Sequence, residues 1–128
     1  GFEVTKAVSA SLGIGYDRAE ELKKTDGLKG DSVLLEAITP LIDLIVFETK
    51  KIMANYEESK KSKIARVILT GGQSNMLGLK EYFSQKLGKE ILIGDPFKKI
   101  SFNKLLGGLL NDLGPVLAVA LGLAMRKI

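Results

Sequence analysis

The segment Ile64 to Thr70, with a continuously apolar centre at Val67-Ile68-Leu69, runs straight into the pair Gly71-Gly72. A short unbroken apolar run predicts a strand covered on both faces, and such a strand needs neighbours on both edges. Only one other segment has strand character, Ile91 to Ile93, closed by Gly94-Asp95-Pro96. The residues between them predict a helix from about Met76 to Leu87, with Gly88 just past its end. Strands separated by a helix form a parallel pair with a right-handed crossover. Two strands alone make a poor sheet. The chain is therefore expected to build an α/β core with a small sheet and an apolar edge left over.

The rest of the chain reads as helix. A first helix is expected from Thr5 to Leu12, broken at Gly13, Gly15 and Tyr16. A second starts at Asp17, read as an N-cap with Glu20 completing a capping box, and ends at Lys23-Lys24 with Gly27 as the stop. The longest pattern runs from Ser32 to Glu58, where Leu34, Ile38, Leu41, Ile42, Ile45, Ile52 and Tyr56 recur at helical spacing. Pro40 interrupts it, so a kink or two abutting helices are expected, with Thr39 capping the second. Glu48 with Lys51, and Glu57 with Lys61, are placed to pair on the polar face. Two final helices are expected near Phe102 to Asn111 and Pro115 to Lys127, the last capped by Asp112. At 128 residues the chain fits one domain, with a helical part over roughly residues 17–60.

Composition removes most catalytic chemistry. The chain has no cysteine and no histidine, which excludes thiolate metal sites, disulfides, a cysteine nucleophile, the Ser-His-Asp triad and the usual general base. The net charge is only +4, and the densest basic stretch, Lys60, Lys61, Lys63 and Arg66, follows Glu57-Glu58 with only Tyr56 nearby. That pattern is read as a solvated helix end, and no nucleic-acid partner is expected. Leu113 to Met125 is shorter than the ~20 residues a membrane span requires and contains Gly114, Pro115 and Gly122. It is expected to be a packed core helix. No signal peptide is visible, so a soluble, intracellular chain is expected.

Two segments look like binding elements. Ile68-Leu69-Thr70-Gly71-Gly72-Gln73-Ser74-Asn75 joins a strand to a helix through two glycines. Glycines let a ligand approach the backbone, and a helix start offers N–H donors. A tight turn capped by Ser74 or Asn75 explains the same residues equally well on spacing. The segment is neither a dinucleotide fingerprint nor a Walker loop. In Ala19-Glu20-Glu21-Leu22-Lys23, Glu20 and Lys23 share a helix face and could hydrogen-bond a ribose or a ring edge; a solvated helix surface is the alternative.

Taken in order, five segments resemble the C-terminal half of the actin-like ATPase superfamily. They are Gly1-Phe2-Glu3-Val4-Thr5, Ala19-Glu20-Glu21-Leu22-Lys23, Leu69-Thr70-Gly71-Gly72-Gln73-Ser74, Gly94-Asp95-Pro96-Phe97 and Val119-Ala120-Leu121-Gly122-Leu123-Ala124-Met125-Arg126. The Asp-Pro-Phe turn and the Gly-Leu-Ala-Met-Arg ending are most similar to the PilM family of type IV pilus assembly proteins, with the FtsA cell-division family next.

The resemblance implies a partial actin-like (ribonuclease H-like) second domain, with a small sheet flanked by helices and a helical subdomain. It implies that Gly71, Gly72 and Gln73 lie against the adenosine of ATP, that Glu20 and Lys23 reach the ribose and base, and that Asn75 stands on the base side. ATP and Mg²⁺ would belong to the intact parent protein. The family's phosphate hairpins, built around Asp-x-Gly with a following Thr or Ser, have no counterpart here. The chain therefore looks like the last third of such a protein, with half an adenosine site, and hydrolysis by the chain alone is not expected. The missing strands would precede Gly1, leaving an edge that pairs with a complementary fragment or a second copy. The implied setting is the cytoplasmic face of the bacterial inner membrane, among inner-membrane pilus assembly proteins and without direct membrane insertion. The rival to all this is a non-enzymatic scaffold in which Ser32 to Glu58 docks a protein. The cell-division alternative would require a C-terminal amphipathic membrane helix, which the sequence does not show.

Overall fold

The computed structural model describes residues 1–99 and 107–126. Among these residues, five helices and two strands follow in the order α1 (Phe2–Leu12), α2 (Tyr16–Thr25), α3 (Ser32–Lys60), β1 (Arg66–Leu69), α4 (Leu79–Leu87), β2 (Glu90–Ile93) and α5 (Gly107–Ala124). Short 3₁₀ turns at Gly27–Lys29 and Pro96–Lys99 lead into α3 and follow β2.

The core is a helical layer against a small sheet. Val4 and Val8 of α1, Ala19 of α2, Leu34, Ile38, Ile42 and Val46 of α3, Leu79 and Phe83 of α4, and Ile91 of β2 form one buried cluster. Each large side chain buried there contributes roughly 1.5–3 kcal/mol. Gly13 and Gly88 take the left-handed conformation that ends α1 and α4, the latter as expected.

The long helix runs unbroken through Pro40, so the two abutting helices allowed for there, the second capped by Thr39, are not formed. It starts at Asp31, whose side chain accepts from the Leu34 N–H at 2.9 Å, and runs through Pro40 to Lys60. Pro40 and Glu36 are both exposed, so the Glu36 carbonyl that loses its helical partner faces water. The buried stripe Leu34, Ile38, Ile42, Val46 and Met53 spans both sides of the proline, so both halves pack on the same core. Lys61 ends the helix in a left-handed turn. Glu57 accepts from the Ile64 N–H at 2.8 Å and from Lys89 at 3.4 Å, which ties the helix end to the strands, whereas Lys61 was its expected partner.

The second helix begins at Tyr16 with Gly15 before it, so Asp17 is not its cap. Glu20 is unavailable for a capping box because Thr5 and Lys23 capture its carboxylate.

The strands pair in parallel as expected, Val67 opposite Ile91 and Leu69 opposite Ile93. They form a two-stranded sheet. The expectation of cover on both faces fails. Val67 and Leu69 pack toward the core, but Ile68 on the other face is 63% exposed. The expected core helix near the C-terminus is also only partly covered. Gly114 and Pro115 are buried, while Val116, Val119 and Leu123 face outward. One helix passes through Pro115, so Asp112 lies inside α5 and is not a cap. The expected helix from Phe102 falls partly outside the described residues. Among the described residues, no helix is long and apolar enough to cross a membrane.

Candidate functional site

The double glycine opens a chain of turns rather than leading directly into a helix. Gly71 has φ +100°, open to glycine alone without strain, and its N–H donates to the Pro115 carbonyl at 2.8 Å. The Gly71 carbonyl then accepts from the Ser74 N–H at 3.0 Å and the Ser74 hydroxyl at 2.8 Å. Met76 N–H donates to Gln73 O at 2.9 Å, and α4 starts only after Gly78. The expected helix start at Met76, with Ser74 or Asn75 as its cap, is thus displaced. The local hydroxyl–carbonyl turn at Ser74 competes with helix and wins.

A second tie sets this loop against the α2 side. Leu28 N–H donates to the Leu77 carbonyl at 2.9 Å. Gly27 sits at φ +51° with its α-carbon so close to this carbonyl that a β-carbon would lie 2.6 Å from Leu77 O. Its sequence role as a helix stop conceals that requirement.

The facing wall is the Thr5–Glu20–Lys23 cluster. Thr5 and Lys23 are buried, Lys23 at 6% exposure. Lys23 Nζ donates to Thr5 Oγ1 at 2.8 Å and pairs with Glu20 Oε2, and the Thr5 hydroxyl donates to the same oxygen. Exposed Lys24 stands 3.4 Å from Glu20 Oε1. Partial burial pushes the Glu20 carboxyl up. The hydrogen bonds from Lys23 and Thr5, together with the Lys23 charge, outweigh that and bring it to about 2.

Between the walls lies a cavity of about 410 Å³ lined by Glu20, Lys23, Lys24, Gly72, Gln73, Asn75, Met76 and Val116. Five of the six expected site residues therefore line one pocket together. Gly71, the sixth, sits behind it with its N–H on α5 and lines the neighbouring depression beside Ile42, Leu69 and Phe83. The structure adds Lys24, Met76 and Val116 to the lining. Lys24 was adjacent to the motif, but nothing in the pattern of the apolar C-terminal helix marked Val116. A smaller lobe toward Phe2 and Tyr16, whose rings lie 5.7 Å apart, continues the cavity past Glu20.

The size is that of a small-ligand site. The lining offers one ionised carboxylate, two ammonium groups, two carboxamides and a glycine backbone beside apolar Met76 and Val116. Such a set can donate and accept hydrogen bonds around a small polar molecule while packing one of its faces on apolar side chains.

Comparison with known proteins bears on the fold and the family. A solved structure described as a PilM–PilN type IV pilus biogenesis complex superposes with a TM-score of 0.81 at 26% identity, over 98% of this chain and 36% of that one. The ethanolamine utilization protein EutJ from Carboxydothermus hydrogenoformans shares the fold, with a TM-score of 0.62 at 22% identity over 99% of this chain and 38% of its own. The chain thus spans just over a third of the length of either structure. Its small parallel sheet flanked by helices is the partial actin-like domain implied by the resemblance. The family model for the type IV pilus assembly protein PilM matches residues 1–128, and the chain belongs to that family.

Proposed function

We propose that this chain supplies the adenosine half of an ATP site in a PilM-type protein of the type IV pilus assembly platform. One observation carries the proposal. Residues from α2 and from the glycine loop, far apart in sequence, converge on a single pocket whose donors and acceptors suit a nucleoside. In this reading Gly72 and Gln73 flank the base or sugar, Glu20 accepts from the ribose, and Lys23 and Asn75 complete the rim. The Gly71 turn holds the loop on α5. Mg²⁺ and the triphosphate are held by the remainder of the intact protein, and the nucleotide state organises the platform at the cytoplasmic face of the inner membrane. A PilN-type protein is the partner suggested by the similar complex.

The test is ATP titration of the intact protein by calorimetry, with Gly72→Val as the variant. A β-carbon at Gly72 would meet only Val116 Cγ2 at 3.9 Å, and an unchanged melting profile shows that the two γ-carbons also fit. Loss of ATP binding with unchanged melting supports the proposal, and unchanged affinity in a folded variant rejects it.

A second reading concerns assembly. Ile45, Ile52 and Tyr56 form an exposed stripe on α3, and Ile68 is exposed on the sheet. These apolar surfaces favour contact with a complementary part of the protein, a second copy or a scaffold partner. Sedimentation equilibrium of the 128-residue chain tests self-association, and a clean monomer at high concentration rejects it.

A further inference from the structure

The Glu20 carboxylate has two unlike oxygens. Oε2 is saturated inside the protein, by the Thr5 hydroxyl and the Lys23 ammonium. Oε1 is held by no buried group among the described residues; exposed Lys24 stands 3.4 Å from it, and Glu20 lines the pocket. Lys23, although it lines the cavity, has its ammonium drawn into the wall by Thr5 at 2.8 Å. Two of the three groups are thus buried braces, and the third keeps one oxygen whose neighbour is an exposed lysine that a ligand hydroxyl could displace.

Thr5 comes from α1, outside both pocket motifs. The first turn of α1 also reaches the opposite wall. The Gly1 carbonyl accepts from the Thr5 N–H at 3.3 Å and from the Gln73 amide at 3.4 Å. One helical turn therefore touches the carboxylate on one side and the glycine loop on the other. A threonine is suited to this place. Its hydroxyl accepts from Lys23 while donating to Glu20, which valine, its isostere, cannot do.

We propose that Thr5 is a positioning residue: with Lys23 it locks the Glu20 carboxylate so that one oxygen is held ready for a ribose hydroxyl. The proposal rests on the nucleoside reading given above. A carboxylate fixed by two buried donors pays no ordering cost when the ligand arrives, and its preference for a hydroxyl at one place is sharp. Without the Thr5 hydroxyl the carboxylate loses a donor and gains rotamers. Affinity and, more tellingly, discrimination between sugars both decline.

The experiment compares ATP with its 2′-deoxy and 3′-deoxy analogues on the intact protein, for wild type, Thr5→Val and Thr5→Ser. Wild type is expected to prefer ATP over at least one analogue by roughly tenfold or more, since a site built to bond a hydroxyl rejects the ligand lacking it. Thr5→Val is expected to lose about three- to tenfold in ATP affinity, with the preference ratio falling toward one, and Thr5→Ser to restore both. A general loosening of the fold would weaken all three ligands alike and leave the ratio in place. Where Thr5→Val does not fold, Thr5→Ala removes the hydroxyl without setting a second methyl against Lys23 and yields the same ratio. A wild-type protein that binds no ATP overturns the nucleoside reading. A wild-type preference that survives loss of the hydroxyl, or equal wild-type affinity for all three ligands, overturns the role of Thr5 while leaving ATP binding intact.

Discussion

Replacing Gly27 by alanine probes the joint between the two walls of the pocket. The added β-carbon would lie 2.6 Å from the Leu77 carbonyl oxygen, 2.9 Å from Met76 Cγ and 3.0 Å from Leu77 N. Two of these three atoms are backbone and cannot rotate away. The residue also sits at φ +51°, which costs a non-glycine residue about 1–2 kcal/mol. Relief of the contact requires the loop to move and to give up the 2.9 Å bond from Leu28 N–H to Leu77 O, worth about 1 kcal/mol. The total expected loss is about 2–3 kcal/mol. With a urea slope of about 1–3 kcal/mol per molar, that moves the unfolding midpoint down by about 1–3 M. Gly13→Ala is the internal control, since Gly13 has φ +64° but nothing within 4 Å of its added β-carbon. It should lose only the conformational share. Equal midpoints for the two variants would refute the reasoning, because the contact with Leu77 would then contribute nothing.

Three other outcomes are expected. Pro40→Ala should raise stability by about 1–3 kcal/mol in denaturant melts, because it restores an N–H for the exposed Glu36 carbonyl in a helix that is already continuous. Glu20 titrates near 2 in the folded chain against 4.5 as its ordinary value, so its share of stability is complete above about pH 4.5 and lost as the pH falls toward 2; Glu20→Gln should flatten that acid limb of the stability–pH curve. Tyr82 donates to Asp43 Oδ1 at 2.6 Å across α4 and α3, and burial followed by this bond raises its phenol above the usual range. Tyr82→Phe should therefore remove the late phase of the alkaline absorbance titration and cost about 1 kcal/mol in melts.

Much of this protein was legible from spacing alone. The apolar strand, its double glycine, the crossover helix and the second strand were read in their true order and pairing, because period and glycine punctuation are local properties. The α2 motif and the glycine loop were singled out as candidate binding elements, with a solvated helix face and a tight turn as the alternatives, and the structure brings Glu20, Lys23, Gly72, Gln73 and Asn75 to one pocket. The misreadings share a cause. Pro40 allowed for two abutting helices, but one helix runs through it with buried residues on either side, whose packing outweighs the lost hydrogen bond. Asp17 and Glu20 match a capping box, but Glu20 is held more firmly by a buried ammonium and hydroxyl than by a backbone N–H. Ser74 and Asn75 resemble caps, but Ser74 spends its hydroxyl on the Gly71 carbonyl.

Residue pattern settled which segments would be helix or strand and which chemistries the chain lacks, since propensity, periodicity and the absence of histidine and cysteine need no partner to act. Other properties exist only between segments. Gly27 is indispensable because a carbonyl fifty positions on lies against it, Thr5 matters because α1 crosses α2 at that turn, and Val116 closes the pocket because Pro115 docks on Gly71. Each depends on where a distant backbone comes to rest, which is set by packing of the shared core and leaves no mark on the neighbouring residues in the chain.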